Sequence, residues 1–72
     1  MKQLTHSEYD ALERAVIDGT RLAIYRRGTE YVVIPQALRL RDGRELIEST
    51  HPTTGEAISF YLDEIDSMHV IR

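Results

Sequence analysis

Residues 37–65 read ALRLRDGRELIESTHPTTGEAISFYLDEI. The first arm, Ala37 to Arg41, alternates apolar and basic side chains. Asp42-Gly43 follows, a dipeptide favoured at the tip of two-residue hairpins because both central residues there need positive φ. A second run, Glu45 to Thr50, leads into the turn His51-Pro52-Thr53-Thr54-Gly55. A third run then places Ile58, Phe60 and Leu62 on one face, with Ser59 and Tyr61 on the other. Three antiparallel strands joined by short turns account for the pattern. Loop length decides which faces meet. A loop over Arg41-Asp42-Gly43 sets Leu38 across from Leu46, whereas a loop of Asp42-Gly43 alone sets Leu38 across from Ile47. In either register Leu46 and Ile47 point to opposite sides. One of them then needs cover from a helix, a crossing strand or another subunit.

Upstream, Leu4-Thr5-His6-Ser7-Glu8-Tyr9 has the marks of a helix start. Thr5 and Glu8 have capping-box spacing, and Leu4 and Tyr9 take the hydrophobic-staple positions. Tyr9, Leu12, Ala15 and Val16 share one helical face. Gly19 suits the left-handed residue that ends a helix. The expectation is a helix over about 6–18. Arg21 to Arg27 reads as a strand, Arg27-Gly28-Thr29-Glu30 as a turn, and Glu30 to Ile34, β-branched and aromatic, as a second strand. Pro35 cannot donate to a ladder, so it implies an edge, a bend or a break. A last short strand covers Ser67 to Ile71, after a turn at Asp63-Glu64-Ile65-Asp66 expected to form one turn of 3₁₀ helix.

The chain has 72 residues and no cysteine, so it is expected to be a single domain without disulfide or thiolate metal staples. Chains of this size without staples often oligomerise or close a compact barrel. No apolar run reaches the roughly 20 residues of a membrane span. MKQLTHSEYD lacks the apolar core of a signal peptide, so a cytoplasmic location without membrane attachment is the expectation.

Charge is segregated along the chain. The net value is −3, yet residues 21–44 hold six arginines against Glu30 and Asp42, while residues 45–66 hold six acids and no Lys or Arg. Two explanations compete. Neighbouring strands of opposite charge form cross-strand pairs, or an arginine patch faces an anionic partner and an acidic edge faces a basic one.

The residues carry no recognised catalytic motif, phosphate loop or nucleophile elbow, so a non-enzymatic protein without a cofactor is expected. His6, His51 and His69 lie on a helix start, a turn and a terminal strand, without ligand spacing, and no metal site is expected. Asp63, Glu64 and Asp66 lack calcium-loop spacing and read as a solvated turn. The candidate ligand site combines Tyr25 and Arg27 on one face of the first strand with Arg39 and Arg41 on one face of the arm before Asp42. An aromatic ring beside guanidinium groups on a curved sheet can stack a base and hold its phosphate. Glu45 and Glu48 are the candidate protein-binding acids.

The segments YRRGTEYVVIPQALRLRDGRELI and TTGEAISFYLDEIDSMHV resemble a WYL domain. Val33-Ile34-Pro35, Leu38, Asp42-Gly43-Arg44, Phe60, Leu62-Asp63 and Ile65 fall where that pattern wants them. The resemblance covers about 50 residues and implies an Sm/SH3-like barrel that binds nucleotides or nucleic acid in a regulatory role. Glu45-Leu46-Ile47 stands where the family has Trp-Tyr-Leu, and Tyr61 and Glu64 stand where it has arginines. A second resemblance, carried by Tyr9-Asp10-Ala11-Leu12-Glu13 and Leu62-Asp63-Glu64-Ile65, is to the Rof family of small acidic inhibitors of the Rho transcription terminator. The expected fold is therefore an N-terminal α-helix followed by a five-stranded, strongly bent antiparallel Sm/SH3-like barrel. The expected function is a regulatory binding module for a nucleotide or single-stranded nucleic acid. The alternatives are a Rof-like inhibitor of a nucleic-acid-binding protein such as Rho and a homo-oligomeric structural barrel.

Overall fold

The computed structural model describes residues 4–71; Lys2 and Arg72, counted in the charge balance, lie outside them. One helix precedes five strands: α1 (His6–Asp18), β1 (Leu22–Arg26), β2 (Thr29–Arg41), β3 (Arg44–Thr50), β4 (Ala57–Tyr61) and β5 (Ser67–Val70). All neighbouring strands are antiparallel, in the order β4-β3-β2-β1-β5. The protein is thus mainly β. The sheet is not closed, since β4 and β5 form its two edges among the described residues. The closure expected of a barrel is absent from these pairings.

The helix begins where the capping chemistry places it. The Glu8 amide donates to Thr5 Oγ1 at 3.2 Å, and the Thr5 amide donates to Glu8 Oε1 at 2.8 Å. Two of the amides that a helix start leaves unpaired are satisfied in this way. At the other end Gly19 takes φ 69°, and its N–H returns to the Ala15 carbonyl. Leu4 and Leu12 bury into the core, with Tyr9 and Val16 packed beside them.

β2 is one continuous strand of 13 residues. Its N-terminal half pairs with β1 and its C-terminal half with β3. Pro35 is a bend inside this strand rather than a break. Around a two-residue hairpin, hydrogen-bonded pairs alternate outward from the turn. Arg26–Thr29 is the first such pair, so Tyr31 and Val33 also bond to β1. The missing donor of Pro35 lies on that same edge, beyond Leu22, where β1 begins. No ladder bond is lost. The register shifts between Pro35 and Ala37, as a bulge that bends the strand would require.

The Asp42-Gly43 hairpin takes the two-residue form. Asp42 has φ 52° and Gly43 φ 76°. Leu38 consequently pairs with Ile47, and Arg39 with Leu46. Ile47 belongs to the core formed with Leu12, Leu22, Ile24, Val33, Phe60, Leu62 and Ile65. Leu46 lies on the reverse face with Arg39 and Tyr61 as cross-strand neighbours, and is only 3% exposed. Its cover comes from within the chain, so no second subunit is needed for it. Ser49, buried among apolar groups, donates from its hydroxyl to the Ile58 carbonyl at 2.6 Å, which removes the penalty of an unpaired buried polar atom.

Candidate binding surfaces

The four candidate ligand residues fall at two places. Tyr25 sits near the β1–β2 turn, on the strand face opposite Leu22 and Ile24. Its hydroxyl donates to Glu30 Oε2 at 2.7 Å, and its ring stacks on His69 with centroids 5.9 Å apart. The bond to the Glu30 carboxylate is the main cause that raises the Tyr25 pKa above its ordinary value. Arg27 is not on the strand with Tyr25. It is the first residue of the two-residue turn, with φ 51°, and its backbone N–H donates to Asp66 Oδ2 at 3.0 Å. Asp66 therefore fastens the turn to the segment that leads into β5.

Arg39 and Arg41 lie at the far end of β2. Nine positions separate Arg39 from Glu30, the cross-strand neighbour of Tyr25, or about 30 Å of strand path at ~3.3 Å per residue. Tyr25 and Arg27 thus lie by the turn where β2 begins, and Arg39 and Arg41 by the turn where it ends. Arg39 Nε is held by Glu48 Oε1 at 2.5 Å. Arg41 faces Arg44 across the hairpin. It is exposed and has no acidic partner among the described residues.

Arg44 carries the most developed interaction on this face. It forms two bonds to Asp63, Nε–Oδ2 at 2.9 Å and Nη2–Oδ1 at 2.7 Å, while its guanidinium lies 3.7 Å from the Tyr61 ring centre. These bonds hold the Asp63 carboxyl below the usual aspartate range. The candidate protein-binding acids are engaged too. Glu48 binds Arg39, and Glu45 accepts the Tyr9 hydroxyl. Two of the six arginines in residues 21–44 thus pair with acids of the 45–66 segment, Arg39 across β2–β3 and Arg44 with the turn after β4.

Sequence reasoning missed three of these contacts: Arg44 on Tyr61, Tyr9 with Glu45, and Arg26 stacked over Tyr31 and Phe60 at 5.1 and 5.0 Å. Arg44 and Tyr61 become diagonal neighbours once the β3–β4 register, Leu46 opposite Tyr61, is known. Before that, no local signal joins them.

Hollows remain. One, of about 390 Å³, lies between Arg21 and Glu30 on one side and His51 and Pro52 on the other. His51 is a structural turn residue there, because its Nδ1 accepts the amides of Thr53 and Thr54 at 3.1 and 3.2 Å. Another, of about 300 Å³, lies between α1 and β2 and is lined by Glu13, Val16, Ile17 and Leu38. Ile17, which lines it, and Leu40, two residues past Leu38 on β2, are the large apolar side chains most open to water among the described residues, at 81% and 71% exposure. Among the described residues no group of three or more His, Cys, Asp or Glu side chains is arranged to hold a metal ion, and no helix is long and apolar enough to cross a membrane.

Comparison with protein-family models, with curated proteins and with solved structures finds no match for the chain.

Proposed function

We propose that the protein is a non-enzymatic regulatory binding module on an Sm/SH3-like barrel scaffold, acting as a Rof-like acidic inhibitor of a nucleic-acid-binding protein such as Rho. The scaffold reading is supported by the antiparallel order β4-β3-β2-β1-β5 and the bend within β2, which lets one strand serve both halves of the sheet. The observation that carries the choice of partner is the engagement of two of the four candidate ligand residues by the protein's own groups. Arg39 holds Glu48, and Tyr25 is occupied by Glu30 and His69. A base-stacking platform needs an open ring and open cations. Glu13, Asp18 and Glu56, by contrast, are exposed and in no ion pair among the described residues, which suits a basic partner.

The test is a competition titration. Rho is loaded with labelled oligocytidylate, and the protein is added at constant salt. The expected result is release of the RNA without binding of the RNA by the protein itself. Retention of the RNA on Rho at saturating protein would remove the Rho-directed reading. The second reading, nucleotide or single-stranded nucleic-acid binding, draws on Arg27 and Arg41, whose guanidinium groups stand at two hairpin ends without acidic partners among the described residues. Direct RNA binding by the isolated protein that weakens steeply with salt would establish it in place of the first.

A further inference from the structure

The geometry points to the groove between α1 and the β2–β3 hairpin as a docking site for a segment of a partner protein that carries an aliphatic side chain flanked by Lys or Arg. This rests on the protein-binding reading above but not on Rho as the partner.

The groove has a floor, two rims and a fixed width. Val16 and Leu38, both packed against the core, form the floor. Ile17 is the helix rim, and Leu40, two residues past the lining residue Leu38, continues the same strand face toward the hairpin. Two large aliphatic side chains left this open, one lining the hollow and one on the strand face that continues from it, mark an interaction surface more than scattered exposure does. The width is set by Tyr9, whose hydroxyl donates to Glu45. Glu45 is the cross-strand neighbour of Leu40, so this bond ties the helix wall directly to the hairpin wall.

Charge selects the occupant. Glu13 lines the groove, with Tyr9 and Ile17 each four residues away on the same helical row. Asp10 stands three residues before Glu13, with His6 Nε2 3.7 Å from its carboxylate, and Glu45 closes the hairpin end. The nearby arginines face elsewhere. Strand alternation turns Arg39 and Arg41 to the reverse face, where Arg39 holds Glu48, and Arg14 lines the cleft on the other flank of α1, beside Asp18 and Val70. An acidic rim around an apolar floor is complementary to a basic segment with an aliphatic anchor. It disfavours a second copy docked groove to groove, which would set Glu13 against Glu13.

The test uses the whole chain with isotope-labelled methyl groups and two synthetic peptides of equal length, one a Leu–Lys amphipathic repeat and the other a Leu–Glu repeat. The Leu–Lys peptide is expected to shift the methyl signals of Val16, Ile17, Leu38 and Leu40, and the Leu–Glu peptide is not. Ile17→Ser and Leu40→Ser should each weaken binding about tenfold, the loss of one well-buried aliphatic contact, and Glu13→Lys should weaken it further as salt is lowered. Both serine variants alter exposed positions, and an unchanged melting temperature shows that they fold. Equal binding of the two peptides, shifts centred on Tyr25 and Arg27, or methyl shifts that follow protein concentration without peptide would each overturn the proposal. The two readings also fail separately. Unweakened Leu–Lys peptide binding by Ile17→Ser, with Rho inhibition intact, removes the groove and keeps the protein-binding function, whereas peptide docking by a protein that leaves Rho untouched keeps the groove and removes Rho.

Discussion

Arg44 grips Asp63 with two hydrogen bonds across 19 residues of chain while resting on the Tyr61 ring. A paired fork of this kind is stronger than a single contact between exposed charges. It ties the start of β3 to the 3₁₀ turn at Leu62–Glu64 that follows β4. Its pH dependence has a definite sign. The Asp63 carboxyl is held below its ordinary value, chiefly by the bonds from Arg44. Its contribution to stability is therefore complete above the unfolded-state value of about 3.9 and is lost as pH falls through the lower folded-state value. The melting temperature of Asp63→Asn should lie below that of the natural protein at neutral pH. The gap should hold down to about pH 5 and close as acid is added below about pH 4. A gap that stayed constant to pH 2 would mean that the bridge contributes nothing measurable.

The two tight hairpins make opposite predictions at their two central positions. Both Arg27 and Asp42 take positive φ. Aspartate and asparagine tolerate this conformation, and arginine does so poorly. Arg27→Asn should therefore raise stability by about 0.5–1 kcal/mol, even though it removes a candidate ligand residue. Gly43→Ala places a Cβ at φ 76° and should cost about 1–2 kcal/mol. Chemical denaturation of the two variants measures both, and a loss of stability in Arg27→Asn would show that its side chain does more than occupy the turn.

At the helix start, Thr5→Ala removes the acceptor for the Glu8 amide. The expected cost is about 1 kcal/mol. The loss should appear mainly as faster amide exchange in the first turn of α1, because the cap acts locally. Uniform acceleration across β2 and β3 would instead make the cap part of the global unfolding unit.

Much of this fold is legible in local sequence signals. Thr5, Glu8 and Gly19 mark the helix ends through backbone chemistry that depends on neighbours a few residues away. Asp42-Gly43 announces a hairpin for the same reason. Its register was open because a one-residue slip keeps the same alternation and only exchanges the faces; the positive φ at both residues decides it. Pro35 was readable as an edge, a bend or a break, and the structure selects the bend. That outcome depends on where β1 ends, a tertiary fact. The placement of the candidate ligand residues was hidden for a related reason. Tyr25 and Arg39 look alike as strand residues, yet Tyr25 sits across from the start of β2 and Arg39 near its end. Face assignments come from alternation, whereas distances along a bent strand do not.

Tyr9 and Glu45 give the last prediction. The Tyr9 hydroxyl donates to the Glu45 carboxylate, and this bond is the main cause that raises the tyrosine's pKa above its ordinary value of about 10. A group whose folded-state pKa is raised gives its full stabilisation below the unfolded-state value and loses it as pH rises through the folded one. The contact should therefore persist to about pH 10 and fail beyond it, when tyrosinate meets carboxylate at the join between α1 and β3. Alkaline titration followed by helix circular dichroism should show loss of helix signal in step with tyrosine ionisation. Tyr9→Phe removes both the bond and the titrating group. At neutral pH it should be less stable by about 1.5–3 kcal/mol, the range for a hydrogen bond to a charged acceptor. Its stability should then change less between pH 9 and pH 11 than that of the natural protein. Parallel alkaline curves for the two proteins would show that other tyrosines govern the transition and that Tyr9 is only a packing residue on the helix face.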